Sequence, residues 1–179
     1  MPEAATPGVT RAATIACVGC RGVVPIFDGP IHRYMTASPG CWRAYTELLG
    51  GGLPPSPATG LIVDAYAVTH PGVPGPQSTP SVWIHLLTLC FVLERRWPVD
   101  QAIRLRRFGA DAFRGWPWLT PPESMGEVSA IDLSNALAAG DGASAIDLTR
   151  RWVDGAWAAW ASSHPVVRAR ADQLARQLG

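Results

Sequence analysis

Two cysteines separated by two residues, in Cys17-Val18-Gly19-Cys20, are the first feature of this chain that could do chemistry. One tight turn between them lets both thiolates come within about 2.3 Å of a single zinc ion. Tetrahedral zinc needs two further donors. Cys41 is a third, because Ser38-Pro39-Gly40-Cys41-Trp42 places it in the first turn of a helix, where free amides and the helix dipole favour a thiolate. For the fourth donor His32, His70 and His85 are all open, and spacing does not separate them. A Cys17–Cys20 disulfide is the weaker reading, since a thioredoxin-like motif wants a helix starting there and Arg21-Gly22 does not start one. Cys90, between Leu89 and Phe91, reads as packing.

A zinc with four protein ligands holds a fold together, whereas a catalytic zinc keeps one position open for water. Three polar residues would serve an open position. His32 follows the Gly29-Pro30 turn, Asp64 stands among apolar and aromatic neighbours from Leu61 to Val68, and His85 falls in the middle of an apolar helix. If they converge, zinc would lower the pKa of a bound water and a histidine or Asp64 would shuttle its proton. A buried carboxylate without a partner costs several kcal/mol, so Asp64 should face a histidine, an arginine or a helix end. One such role is to accept the free ring N–H of a ligating histidine. The plainer readings are core histidines satisfied by carbonyls and an Asp64 turned to water.

Cys17-Val-Gly-Cys20, then Gly40-Cys41-Trp42, then Val63-Asp64-Ala65-Tyr66 leading to His70-Pro71, resemble an uncharacterised family of small bacterial proteins. Its members pair an N-terminal Cys-x-x-Cys with a later helix-opening Cys and a helix ending in His-Pro. The stretches Asp28 to Met35 and His85 to Cys90 resemble its longer branch, and the likeness covers the first half of the chain. It implies a zinc-binding domain of unknown function, with Cys17, Cys20, Cys41 and His70 as a Cys3His set. It carries no activity. Relatives often have Gln before the His-Pro, where this chain has Thr69, a change next to the ligand rather than in it.

The elements that must position these residues read as helices. The first should run from the Ser38-Pro39 cap to Gly50-Gly51-Gly52, and the second from about Ala58 to Thr69, stopped by His70-Pro71. A third, about Pro80 to Arg95, is apolar nearly all round and therefore central. Pro98-Val99-Asp100 starts a fourth, with Arg104, Arg106 and Arg107 as a solvated cationic face. Residues 114–126, with Trp116, Trp118 and three prolines, are too stiff for a helix. Further helices are expected at 130–139, at 143–162 with Trp152, Trp157 and Trp160 in the core, and from Pro165, with His164-Pro165 a helix boundary. No alternating strand pattern stands out. The expectation is a mainly α, single-domain helical bundle at 15–179, with an irregular zinc-knuckle segment within 15–71 and a loose tail at 1–14.

Composition agrees with one domain. The 179 residues are 47% hydrophobic and 16% charged, enough for a core and too apolar for disorder. The fifteen basic residues are all arginine, and against 14 acids the net charge is +1, which gives no electrostatic case for nucleic acid or an anionic membrane. A Cys2His2 finger would need a His-x3–5-His pair that is absent. No signal peptide or apolar run of about 18 residues appears. The expected setting is the bacterial cytoplasm, with a small molecule or protein as partner and Trp-rich helices compatible with a homodimer. Phosphate-cradling loops, dinucleotide fingerprints and nucleophile elbows are missing.

Overall fold

Proline at its first position and glycine at its end bound the first helix, α1 (Pro39–Leu49, followed by Gly50). The structure, a computed structural model, describes residues 13–104, 106 and 115–178. Before α1, two short strands, β1 (Thr14–Ala16) and β2 (Val23–Pro25), pair antiparallel with Ile15 opposite Val24. The sequence offers only a short extended or knuckle segment from Ile15 to Phe27 with no alternating pattern, because three residues per strand are too few to display one. Their register comes from the turn instead: Cys17 N–H donates to Gly22 O at 2.8 Å and Arg21 N–H to Cys17 O at 3.0 Å. Arg21 takes a left-handed φ of 65° to close it. Residues 1–12 of the expected tail lie outside the described residues, whereas Ala13 already belongs to the hairpin, its carbonyl accepting from Ile26 N–H.

After α1 a 3-10 turn (Thr59–Leu61) leads into α2 (Ile62–Thr69), and α3 covers Ser78–Leu89. The short α4 (Val99–Ile103), α5 (Ala130–Ala138), α6 (Gly142–Ala159) and α7 (His164–Leu178) complete the helices. Almost all of α2 is buried, Asp64 and Thr69 included, so it must be covered on every side. α3 and α6 pack against it, α5 joins α1 to α6, and α7 lies on α3. Trp83, Trp152 and Trp160 are fully buried, and Trp160 Nε1 donates to Val68 O at 3.0 Å. Trp157 is also in the core. Among the described residues no helix is long and apolar enough to cross a membrane.

Three details differ from expectation. α3 does not reach Arg95 as a single α-helix: from Cys90 to Glu94 it widens into a π turn, with Arg95 N–H donating to Cys90 O at 3.2 Å. Arg96 then takes a φ of 58° and Pro98 forbids continuation. The helix expected to end at Ser162 stops at Ala159, and a 3-10 turn (Ala161–Ser163) precedes α7. The cationic face of the fourth helix divides. Arg104 meets Asp100 at the surface, Arg106 turns inward to Asp64, and Arg107 lies outside the described residues. The Trp- and Pro-rich stretch expected to lack helix at 114–126 is free of it over its described residues 115–126 and on to 129, and Trp83 Nε1 holds it through Pro117 O at 2.8 Å.

Candidate metal centre

Three stretches of chain deliver the four sulfur and nitrogen donors. Cys17 and Cys20 sit at the two sides of the hairpin turn, Cys41 in the first turn of α1, and His70 directly after α2. All four are buried, and their ligand atoms lie within 4.8 Å of one another. Cys20 Sγ is 3.8 Å from Cys41 Sγ, and His70 Nε2 is 3.7 Å from Cys17 Sγ and 3.3 Å from Cys41 Sγ. Sulfurs bound at 2.3 Å to a tetrahedral ion are about 3.8 Å apart, the separation of Cys20 and Cys41, so the group could hold a metal ion. The four cysteines of the chain are free thiols.

The backbone approaches that allow this need glycine in two places. A Cβ on Gly19 would meet Thr36 O at 2.1 Å and His70 Cδ2 at 2.6 Å, so the knuckle lies flat against the imidazole. A Cβ on Gly40 would meet Pro25 O at 2.3 Å, where the end of β2 abuts the start of α1. Ser38 joins the two pieces. Its hydroxyl was expected to cap α1; it accepts instead from Val18 N–H at 3.1 Å, while Ser38 N–H donates to Cys17 Sγ at 3.4 Å.

The His70 ring is oriented for ligation through Nε2. Its Nδ1 is 2.9 Å from Tyr66 O, a carbonyl that can only accept, so Nδ1 carries the proton and Nε2 faces the sulfurs. Thr69 Oγ1, which donates to Ala65 O at 2.7 Å, lies 3.1 Å from Nδ1 and shares that proton. Tyr66 stacks on His70 at 4.0 Å on one side and on Tyr45 at 3.8 Å on the other. Its hydroxyl donates to Cys41 Sγ at 3.9 Å. Burial, then the nearby Cys41, pushes the Tyr66 phenol well up, so it stays a donor.

In this buried group the sulfurs and the imidazole shift one another's proton affinities. Hydrogen bonds from Cys20 and Cys41 pull the Cys17 thiol far down against the effect of burial. Hydrogen bonds to Cys17 and Cys20, with burial, push Cys41 far up. Burial lowers His70, but its hydrogen bonds to Cys17 and Cys20 outweigh this and raise it to about 9. The group thus pairs a Cys17 thiolate with a protonated His70, so a metal ion bound here would have to displace the protons of Cys41 and of His70 Nε2.

The other candidates fall elsewhere. Asp64 is six residues before His70 on α2, about 9 Å along the axis, so it does not accept the ligand's ring N–H. It is fully buried and takes Nδ1–H of His85 on Oδ1 at 2.7 Å, while Arg106 clamps both of its oxygens. His32 joins neither group. It packs edge-on to Tyr34 at 4.4 Å and against Trp42 at 5.0 Å, and burial, then Arg33, lowers its pKa. Sequence reasoning missed Ser38, Tyr66 and Arg106 as partners. Tyr66 was recoverable, since it lies four residues before His70 on one helix face. Nothing local marks Arg106.

A family model described as a family of unknown function (DUF5946) matches residues 15–161. That stretch holds the four buried donors together with Asp64, His85 and Arg106. No curated protein and no solved structure matches the chain.

Proposed function

We propose that this chain, which belongs to the family of unknown function DUF5946, holds one zinc ion on Cys17, Cys20, Cys41 and His70, and that the ion fastens the hairpin to the helical body. One observation carries this reading: donors from three separate stretches meet within 4.8 Å, with the His70 Nδ1 proton held by Tyr66 O and Nε2 turned to the sulfurs. Three sulfurs and one imidazole suit zinc by softness and by geometry. Four protein donors also complete a tetrahedron. This favours a structural ion over a zinc-dependent enzyme, hydrolytic or of other acid–base chemistry, working through His32, Asp64 and His85, because no position remains for water. Buried thiols kept reduced suit a bacterial cytoplasm, the setting this reading assumes. The near-neutral charge supports a small-molecule or protein partner over nucleic acid or a membrane.

The test is metal content by elemental analysis of protein purified without chelator or oxidant, beside Cys17→Ser, Cys41→Ser, His70→Ala and His32→Ala. Stoichiometric zinc is expected in wild type and in His32→Ala, and lost from the other three. Metal loss in His32→Ala with retention in His70→Ala would overturn the fourth ligand. A metal-free wild type would overturn the zinc reading itself.

A further inference from the structure

The pair Asp64–His85 is more than a satisfied core contact. Arg106 bonds both oxygens of the Asp64 carboxylate, and its Nη2 also reaches Gly60 O at 3.4 Å, so the buried charge is neutralised without His85. His85 nevertheless donates Nδ1–H to Oδ1 at 2.7 Å. That bond fixes the tautomer and leaves the lone pair on Nε2, for which no partner exists among the described residues. The His85 side chain is 12% exposed, and it opens on a cavity of about 270 Å³. Tyr34, Gln77, Ser81 and Arg106 line this cavity with polar groups, and Pro80 and Ile84 with apolar ones. Asp64, buried behind the wall, cancels the charge of Arg106, so the wall is mixed polar and apolar and close to neutral. An engineered cavity of about 150 Å³ holds a benzene, which sets the scale of the occupant.

We propose that this cavity is a second site, independent of the metal, in which His85 is the general base for a small neutral acyl substrate and Asp64 and Arg106 are positioning residues. Nε2 takes a proton from water as the water oxygen attacks the acyl carbon. The imidazolium is stabilised by the Asp64 carboxylate and returns the proton to the leaving oxygen as the C–O bond breaks. One water adds across one ester bond, and nothing else is consumed.

The experiment uses the full chain as purified, with p-nitrophenyl acetate as the probe. Wild type should show saturable hydrolysis, with His85→Gln lower in kcat by about 100-fold and His164→Gln unchanged. Asp64→Asn should lower kcat with little change in KM, and ring-nitrogen NMR should find the His85 proton on Nδ1 in wild type and moved in Asp64→Asn. Circular dichroism and zinc content establish that each variant is folded. Equal hydrolysis by His85→Gln, a rate linear in ester up to its solubility, or a wild-type proton on Nε2 would each overturn the proposal. Because zinc content is read separately, a metal-free wild type that still loses hydrolysis in His85→Gln would sink only the zinc reading.

Discussion

Gly19 shows how little room the Cys3His group leaves at the scale of single residues. A side chain there meets both a backbone carbonyl and the ligand's own ring, at 2.1 and 2.6 Å, and the carbonyl of Thr36 cannot swing aside. Gly19→Ala is therefore expected to cost about 1–3 kcal/mol and to weaken zinc retention, read from denaturant unfolding and chelator competition. Wild-type values for both would mean that the knuckle is not seated on His70. Asp64 is the opposite case, where chemistry could be anticipated before geometry. A carboxylate among apolar neighbours has to find a cation or a donor, and it finds Arg106 and His85. Its removal as Asp64→Ala strands a guanidinium and an imidazole that share it, at about 3–5 kcal/mol in a urea titration. A change below about 0.5 kcal/mol would mean that the cluster is solvated rather than buried.

Between residues and the whole molecule stand the elements and their ends. The π turn at Cys90–Glu94 brings Glu94 to Trp157 Nε1 at 3.2 Å and to Arg168 at 2.7 Å, tying the end of α3 to α6 and α7. The Arg168 guanidinium holds the Glu94 carboxyl below its ordinary 4.5. A depressed carboxylate adds stability that is fully present above about pH 4.5 and fades as pH falls through the folded value. Thermal melts from pH 6 to 3 should fall less steeply for Glu94→Gln than for wild type, by a small margin because the pair is part-exposed. Parallel curves would show that the tie contributes nothing. Some helix ends were readable, though not those of α3 and α6. Pro39 and Gly50 act where their chemistry says they should, and the structure adds a Ser129–Asp132 capping box at the start of α5. The two strands were not, because three residues cannot show a period, and neither was the widening of α3, which depends on what its last turn must touch.

For the molecule as a whole, the ion would tie stretches that are 21 and 29 residues apart, Cys20 with Cys41 and Cys41 with His70. Most apolar burial lies in the helices, so they should survive without it. Chelation is expected to lower Tm by roughly 10 °C. Hydrogen exchange should lose protection over residues 13–37 while α2, α3 and α6 keep theirs. Global exchange after chelation would mean that the ion nucleates the core rather than fastening a segment to it.

What the sequence determined by itself is the set of local commitments: the mainly helical class, most helix boundaries, and three candidate thiol donors, Cys17, Cys20 and Cys41, with the histidine left open among His32, His70 and His85. Each follows from forces acting within a few residues, such as proline's missing N–H, the period of apolar positions and the reach of two thiols across one turn. Tertiary structure decided which histidine meets the sulfurs, that Ser38 serves the knuckle rather than its helix, and that Arg106 turns in to Asp64 while His32 packs on Trp42. Those outcomes depend on where distant segments cross, and sequence spacing fixes distance only along a helix, not between one and the next.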